Sequence, residues 1–118
     1  MKDLEYQISI RLFRGKKCFG PGIYQLLKQI EQTGSLHRAA AEMDMAYSKA
    51  WKILKECEES YGIAFTIRNT GGAAGGGSVL SEEGKKLMSQ YEGFCNEIRQ
   101  KAEESFQKWF ETEAKGEE

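Results

Sequence analysis

Residues that commonly build catalytic and metal centres are scarce in this 118-residue sequence. It holds one histidine, His37, with no cysteine or carboxylate at the spacing of metal ligands. No Ser-His-Asp set or pair of buried carboxylates can be traced, so no catalytic centre, metal site or cofactor is expected. The three cysteines (Cys18, Cys57, Cys95) are widely spaced and form no CxxC pair. This pattern argues against a disulfide framework and favours a reducing cytoplasm.

Long apolar runs are also missing. No stretch approaches the roughly 18 apolar residues of a membrane span, and the first ten residues lack the basic-then-apolar order of a signal peptide. We therefore expect no membrane partner. Charge is uneven despite a net value of −1. Residues 1–70 carry 11 Lys and Arg against 8 Asp and Glu, whereas residues 71–118 carry 6 against 10. This indicates either an ordinary surface with an acidic tail or a cationic working face before an acidic helix.

Hydrophobic periodicity predicts a small, mainly helical fold with little sheet. Period-two alternation predicts strands over residues 5–14 and 63–68, and "SVLS" (78–81) is predicted as a short return strand. Helical spacing predicts a helix over 21–33 that Pro21 begins, then two short helices around "SLHRAAAEM" and "YSKAWKILKECEESYG". Their tight "DMA" turn and small residues are typical of a helix-turn-helix. A last helix, with Ser81 as its N-cap, is predicted from about 82 to 113, and residues 114–118 as a frayed tail.

The stretch "TGGAAGGGS" (70–78) is five-ninths glycine. No Lys follows the glycines, which excludes a P-loop, and the register of a dinucleotide-binding turn is absent. A flexible linker between two domains is also a poor interpretation, because neither side of the stretch is long enough to be a complete second domain. The remaining interpretation is the tip of a β-hairpin directly after a helix-turn-helix, which would be the wing of a winged helix. A hairpin tip without a binding role stays open as the alternative.

The same residues resemble a known family. "GSLHRAAAEMDMAYSKAWKILKECEESYGIAFTIR" resembles the N-terminal domain of LysR-type regulators, and "AYSKAW" with "RNTGGAAGGGSVLSEEG" resembles more closely the ModE-type, molybdate-responsive regulators. The resemblance covers about residues 5–100. It implies a winged helix-turn-helix that binds duplex DNA. Family members usually continue into molybdate-binding domains, so no molybdate site is expected within these 118 residues. Position 46 is Ala, where related recognition helices often begin with Ser.

Candidate DNA-binding residues follow from placing the second helix of the helix-turn-helix in the major groove. Ser48 and Lys49 are predicted to reach base edges or phosphate, and Lys52 and Lys55 to neutralise phosphates. Trp51 either braces the turn or touches DNA, and Arg38 is either a phosphate contact or an ordinary surface residue. The full predicted set is Ser35, Arg38, Tyr47, Ser48, Lys49, Trp51, Lys52, Lys55, Arg68, Thr70, Gly71, Gly72, Gly75, Gly76 and Ser78.

The last helix carries more apolar residues than a small body can cover. Core packing accounts for Leu87, Tyr91 and Phe94, while the residues beyond them suggest a homodimer surface, which the resemblance also implies. The predicted dimerisation set is Tyr91, Phe94, Ile98, Ala102, Phe106, Trp109 and Phe110. We therefore predict one domain over residues 1–113, a winged helix-turn-helix with a long C-terminal helix, that regulates transcription as a DNA-bound homodimer. The alternative is a winged-helix protein-interaction module without DNA binding.

Overall fold

The structure, a computed structural model, describes residues 3–69 and 77–111. The elements in chain order are β1 (Leu12–Arg14), β2 (Lys16–Phe19), α1 (Pro21–Thr33), α2 (Leu36–Glu42), α3 (Tyr47–Tyr61), β3 (Thr66–Asn69), β4 (Gly77–Leu80), α4 (Glu82–Phe106) and a π-helical turn (Gln107–Glu111). The strands form two separate antiparallel hairpins, β1–β2 and β3–β4. This is a winged helix-turn-helix, with α2 and α3 as the helix pair and β3–β4 as the wing, as the sequence predicts.

The chain divides into two compact units. One spans Ser9–Met88 and contains the helix-turn-helix and the wing. The other joins the residues before Ser9 to those from Ser89 onward. That residues 1–113 form a single domain remains a prediction. None of the helices within 3–69 and 77–111 has the length and apolar content that a bilayer span requires.

The core of the Ser9–Met88 unit is built from the apolar faces that helical spacing predicts. α1 buries Ile23, Leu26, Leu27 and Ile30. α2 and α3 bury small residues, among them Ala39 and Ala50, so that the two helices can approach closely. Phe19 and Phe65 are fully buried and pack edge to face, with ring centroids 5.7 Å apart. This contact anchors both hairpins to the helical core.

The end of α1, the start of α2 and the turn to α3 each have a local cause. Gly34 ends α1 in the left-handed conformation, and its N–H donates to the Ile30 carbonyl at 2.7 Å. Ser35 begins α2, since its Oγ accepts the Arg38 N–H at 3.2 Å. The turn to α3 places Asp44 at a φ of 53°, and the Met45 N–H returns to the Ala40 carbonyl at 2.9 Å.

The strand predicted over residues 5–14 is largely wrong. Only Leu12–Arg14 is a strand, and it pairs with β2, a strand that the hydrophobic periodicity does not predict. Gly15, at a φ of 78°, reverses the chain between them. Alternation alone cannot reveal which residues join a sheet, and residues 5–11 are not part of a strand.

The wing is held to the body at both ends. The Ser78 N–H donates to the Gly34 carbonyl at 2.9 Å, which ties β4 to the junction of α1 and α2. Ser81 caps α4 as predicted, accepting the Gly84 N–H at 2.8 Å and donating its own proton to the Ala64 carbonyl at 2.6 Å. The wing strands lie at Thr66–Asn69 and Gly77–Leu80, shifted from the predicted 63–68 and 78–81. Helix from 82 is confirmed through Glu111, and residues 112–118 lie outside the described part of the chain.

Candidate nucleic-acid interface

A groove of about 680 Å³ lies where the start of α2, the outer face of α3 and the base of the wing meet. It is lined by Thr33, Gly34, Ser35, Leu36, His37, Arg38, Tyr47, Trp51, Leu54, Lys55, Thr66, Arg68, Gly77 and Ser78. Three of these side chains, Arg38, Lys55 and Arg68, are cationic, and none of these described lining residues is acidic. The groove therefore favours an anionic ligand.

One face of α3 is buried in the core, and the other is exposed and can contact a ligand. Ala50, Leu54 and Cys57 are buried, whereas the polar side of the helix is exposed at Tyr47, Ser48, Lys49, Trp51, Lys52 and Lys55. Residues 47–55 of α3 thus expose two hydroxyls, an indole and three ammonium groups. These are donors and acceptors that can meet base edges and phosphates.

Aromatic rings give the groove a defined wall. The His37 and Tyr47 rings are stacked, with centroids 3.8 Å apart and planes 5° from parallel. One helical turn further along, the Lys55 ammonium lies 5.9 Å from the centre of the Trp51 ring. This distance suits a cation–π contact.

Lys55 has a second partner in Glu58. Its Nζ lies 3.3 Å from Glu58 Oε1, and Glu58 Oε2 accepts the Phe65 N–H at 2.8 Å. The carboxylate thus braces the entry to the wing and offsets part of the charge of Lys55. We infer that Lys55 contributes less to the attraction of phosphates than Arg38 or Arg68 does.

The wing presents alternating faces to the groove and away from it. Arg68 pairs with Ser78 and Thr66 with Leu80 in the strand register. Thr66, Arg68 and Ser78 line the groove, whereas Ile67 and Val79, paired with each other, are exposed apolar residues. The wing base is therefore a polar wall with one cation.

Comparison with known proteins agrees with this geometry. Residues 23–85, more than half of the chain, match the family described as "Bacterial regulatory helix-turn-helix protein, lysR family". The chain belongs to this lysR family. It therefore carries the DNA-binding domain of a transcription regulator, and an interaction module without DNA binding is not favoured. The family is one of regulators rather than enzymes.

Individual relatives add detail. The chain is 33% identical over 92 residues to the "Transcriptional regulator ModE" of Haemophilus influenzae, which covers 78% of this chain and 36% of that protein. It is 32% identical over 100 residues to the "DNA-binding transcriptional dual regulator ModE" of Escherichia coli K12, covering 84% and 38%. The "Molybdenum-pterin-binding protein MopB" of Rhodobacter capsulatus is 36% identical over 66 residues, which is 56% of this chain and 24% of that protein. The chain thus spans little more than a third of the length of the first two.

The groove brings together about half of the DNA-binding residues predicted from sequence. Ser35, Arg38, Tyr47, Trp51, Lys55, Arg68 and Ser78 line it. Ser48, Lys49 and Lys52 are exposed on α3 beside it. Thr70, Gly71, Gly72, Gly75 and Gly76 lie outside the described residues. The hydroxyl oxygen of Ser35 caps α2, and the contact of this residue with DNA remains a prediction.

Seven of the fourteen lining residues of the groove were not predicted from the sequence, among them His37 and Thr66. His37 was weighed only as a metal ligand, and among the described residues no group of three His, Cys, Asp or Glu side chains could hold a metal. Its position in the first turn of α2, beside Arg38, is the signal that could have placed it in the groove. Thr66 lies two residues before Arg68, so strand alternation could have placed it on the same face.

The two cysteines of the Ser9–Met88 unit do not line the groove. Cys18 and Cys57 are buried free thiols. Burial raises the pKa of the Cys57 thiol, the charges of Cys18, Glu56 and Glu58 add to that shift, and Lys17 opposes it. Cys57 is therefore an unreactive core residue of the buried face of α3.

The second unit carries the residues predicted to form a dimer. Trp109, Phe110 and Phe94 are exposed by 68%, 56% and 49%, and Ile98 is exposed as well. Tyr91 is buried within the chain, so it offers little surface to a partner. The expectation that core packing accounts for Phe94 is wrong, because Cys95 takes the buried position one residue later. The buried stripe Leu87–Tyr91–Cys95 advances by four residues at each step, which leaves Phe94 beside it.

Residues 3–8 lie against the C-terminal part of α4 within this unit. The Tyr6 hydroxyl donates to Glu103 at 2.9 Å, and the Tyr6 ring lies 4.8 Å from that of Phe106. Phe106 in turn lies 5.4 Å from Phe110. Phe106 and Ala102 are therefore half-buried, and fewer of the predicted residues are available to a second chain than the sequence suggests.

Proposed function

We propose that the chain binds specific duplex DNA as a homodimer and regulates transcription in the cytoplasm of a bacterium. The observation that carries the proposal is the groove itself, with three cationic side chains, no acidic one among its described residues and the exposed start of α3 beside it. Duplex DNA is the ligand that matches a cationic groove next to a projecting helix, because phosphates give affinity and base edges give specificity.

In this proposal the roles divide by position. The N-terminal residues of α3 enter the major groove, where Ser48 and Lys49 meet base edges and Lys52 meets phosphate. Arg38 from α2 and Arg68 from the wing grip the sugar–phosphate backbone on either side. The predicted contacts of Gly71, Gly72, Gly75 and Gly76, which lie outside the described residues, are with the phosphates or the minor groove.

Homodimer formation is supported by the apolar end of the last helix. Leaving Trp109 and Phe110 in water forgoes roughly 1.5–3 kcal/mol for each large side chain. A two-fold interface through Phe94, Ile98, Trp109 and Phe110 would cover them. It would also present two recognition helices to half-sites about 34 Å apart, one turn of DNA.

A link to molybdenum is supported by the names of the relatives, two of which are called ModE and one a molybdenum-pterin-binding protein. We propose that the genes under control serve molybdenum uptake or use. The 118 residues themselves are expected to bind neither molybdate nor a cofactor. Calorimetry with molybdate and tungstate tests this, and a stoichiometric micromolar heat would contradict it.

Selection from a random pool of duplex DNA tests the DNA-binding proposal. The purified chain should retain a common sequence with two related half-sites, and its affinity should fall steeply with salt. Retention of no sequence above background, with the protein folded, would contradict the proposal and restore the alternative of a protein-interaction module.

A further inference from the structure

The starts of the two helices of the helix-turn-helix are joined by a ring stack. His37 lies in the first turn of α2, and Tyr47 is the first residue of α3. Their ring centroids are 3.8 Å apart and their planes differ by 5°. Both side chains are exposed and both line the groove. The stack therefore occupies the surface that faces the ligand rather than the core.

The start of α3 has little else to hold its side chains in place. α2 has a side-chain cap in Ser35, but Ala46 precedes α3 and offers no capping group. The turn before it includes Asp44 at a positive φ. An exposed tyrosine at such a position would exchange rotamers on the picosecond to nanosecond timescale. Packing one ring face against His37 restricts that exchange and fixes where the Tyr47 hydroxyl points.

We propose that His37 is a positioning residue for DNA recognition, which acts by holding the Tyr47 ring in its DNA-binding orientation. The inference rests on the proposed function, in which the start of α3 meets DNA. Binding a side chain that is already ordered does not carry the entropy cost of ordering it. The stack therefore raises the affinity for DNA without a contact between His37 and DNA. The imidazole acts here as a flat ring, and its charge and its N–H groups are not required.

The single histidine makes the stack directly observable. The imidazole C–H protons of His37 are the only such signals in the chain, so proton NMR reports on them without assignment of the rest. The Tyr47 ring current should move them upfield from the position of a free imidazole. Tyr47→Ala should abolish that shift, whereas Gln25→Ala, a change at an exposed residue of α1, should leave it in place.

Binding to the selected duplex separates positioning from contact. His37→Ala should weaken affinity about 2- to 12-fold, the range expected when binding must order one side chain that the stack no longer holds. His37→Phe keeps a flat ring and should stay within about twofold of wild type. In the cycle of His37→Ala, Tyr47→Ala and the double variant, His37→Ala should add almost nothing once Tyr47 is already Ala. Melting curves should show that both single variants, like Gln25→Ala, are fully folded at the temperature of the binding assay.

Each contrary result has a distinct meaning. Failure of the wild-type chain to select any duplex overturns the proposed function itself. If the wild type binds and His37→Ala binds equally well, or if the two single effects simply add, the positioning role is overturned. If His37→Phe is as weak as His37→Ala, the imidazole contacts DNA directly and the positioning role is again overturned.

Discussion

Gly84 of α4 lies against the backbone of Phe65, the residue that precedes β3. A β-carbon at this position would lie well inside 3 Å of the Phe65 carbonyl oxygen, 3.1 Å from its carbonyl carbon and 3.2 Å from its Cα. All three are backbone atoms, so no side-chain rotation can relieve the contact. The same oxygen accepts the Ser81 N–H at 2.9 Å, at the N-cap of α4. Gly84→Ala must therefore separate the start of α4 from the residue that leads into β3.

The cost of Gly84→Ala can be worked from its parts. Overpacking of a rigid site costs about 1–3 kcal/mol, and weakening the Ser81–Phe65 hydrogen bond adds about 1 kcal/mol. The higher helix propensity of alanine returns about 1 kcal/mol. The free energy of unfolding should thus fall by about 1–3 kcal/mol. A β-carbon at Gly93, in the same helix, would meet no described atom within 4 Å, so Gly93→Ala should raise the free energy of unfolding by about 0.5–1 kcal/mol.

Urea unfolding followed by circular dichroism measures both variants against the wild type. Opposite shifts of the midpoint, down for Gly84→Ala and up for Gly93→Ala, are expected at constant m-value. A Gly84→Ala protein as stable as Gly93→Ala would refute the close packing of α4 against Phe65. It would also remove the physical reason for glycine in the "VLSEEG" segment.

Further predictions concern the interface and the stability of the fold. Lys52→Ala should weaken binding to all duplexes and reduce the slope of log affinity against log salt by about one unit. Lys86→Ala, which removes the same charge from α4, should change neither. Ser48→Ala should relax discrimination at one base pair by about 1–3 kcal/mol. Ser81→Ala should lower the free energy of unfolding by about 1–2 kcal/mol in urea titrations, because it removes the α4 cap and the bond to Ala64. Exchange of both Trp109 and Phe110 for Glu should yield a monomer by sedimentation, and an unchanged dimer would rule out this surface. Because burial raises the pKa of Cys57, the unfolded chain loses this thiol proton first as pH rises above the ordinary thiol pKa, and the free energy of unfolding should decline there. The free energy of unfolding of Cys57→Ala should decline less steeply. Urea midpoints measured from about pH 7 to 10 compare the two proteins.

Helical features were predictable from sequence because their causes are local. The bounds of α1, the Ser35 and Ser81 caps and the buried face of α3 all follow from residue spacing and capping chemistry. The β1–β2 hairpin was not predictable in the same way, because alternation over residues 5–14 does not reveal which residues find a partner strand. Whether Phe94 or Cys95 is buried depends on which of the two lies nearer the centre of the buried stripe of α4.

The candidate site was predictable by residue type but not by arrangement. Arg38, Tyr47 and Arg68 could be proposed from their positions in a helix-turn-helix with a wing. The stack of His37 on Tyr47 and the pairing of Lys55 with Glu58 depend on side-chain geometry across separate elements or turns. Such contacts decide how much of each cation and ring is available to a ligand, and spacing along the chain does not encode them.

The placement of DNA in this groove is tested most directly by the salt dependence of binding to the selected duplex, measured by fluorescence anisotropy. The wild type should be compared with a variant in which Arg38, Lys55 and Arg68 are all changed to Ala, after circular dichroism has shown both to be folded. We predict that the variant binds more weakly and that its slope of log affinity against log salt is smaller by about two to three units, since each lost phosphate contact removes about 0.9. Equal slopes for the two proteins would contradict the placement of DNA in this groove.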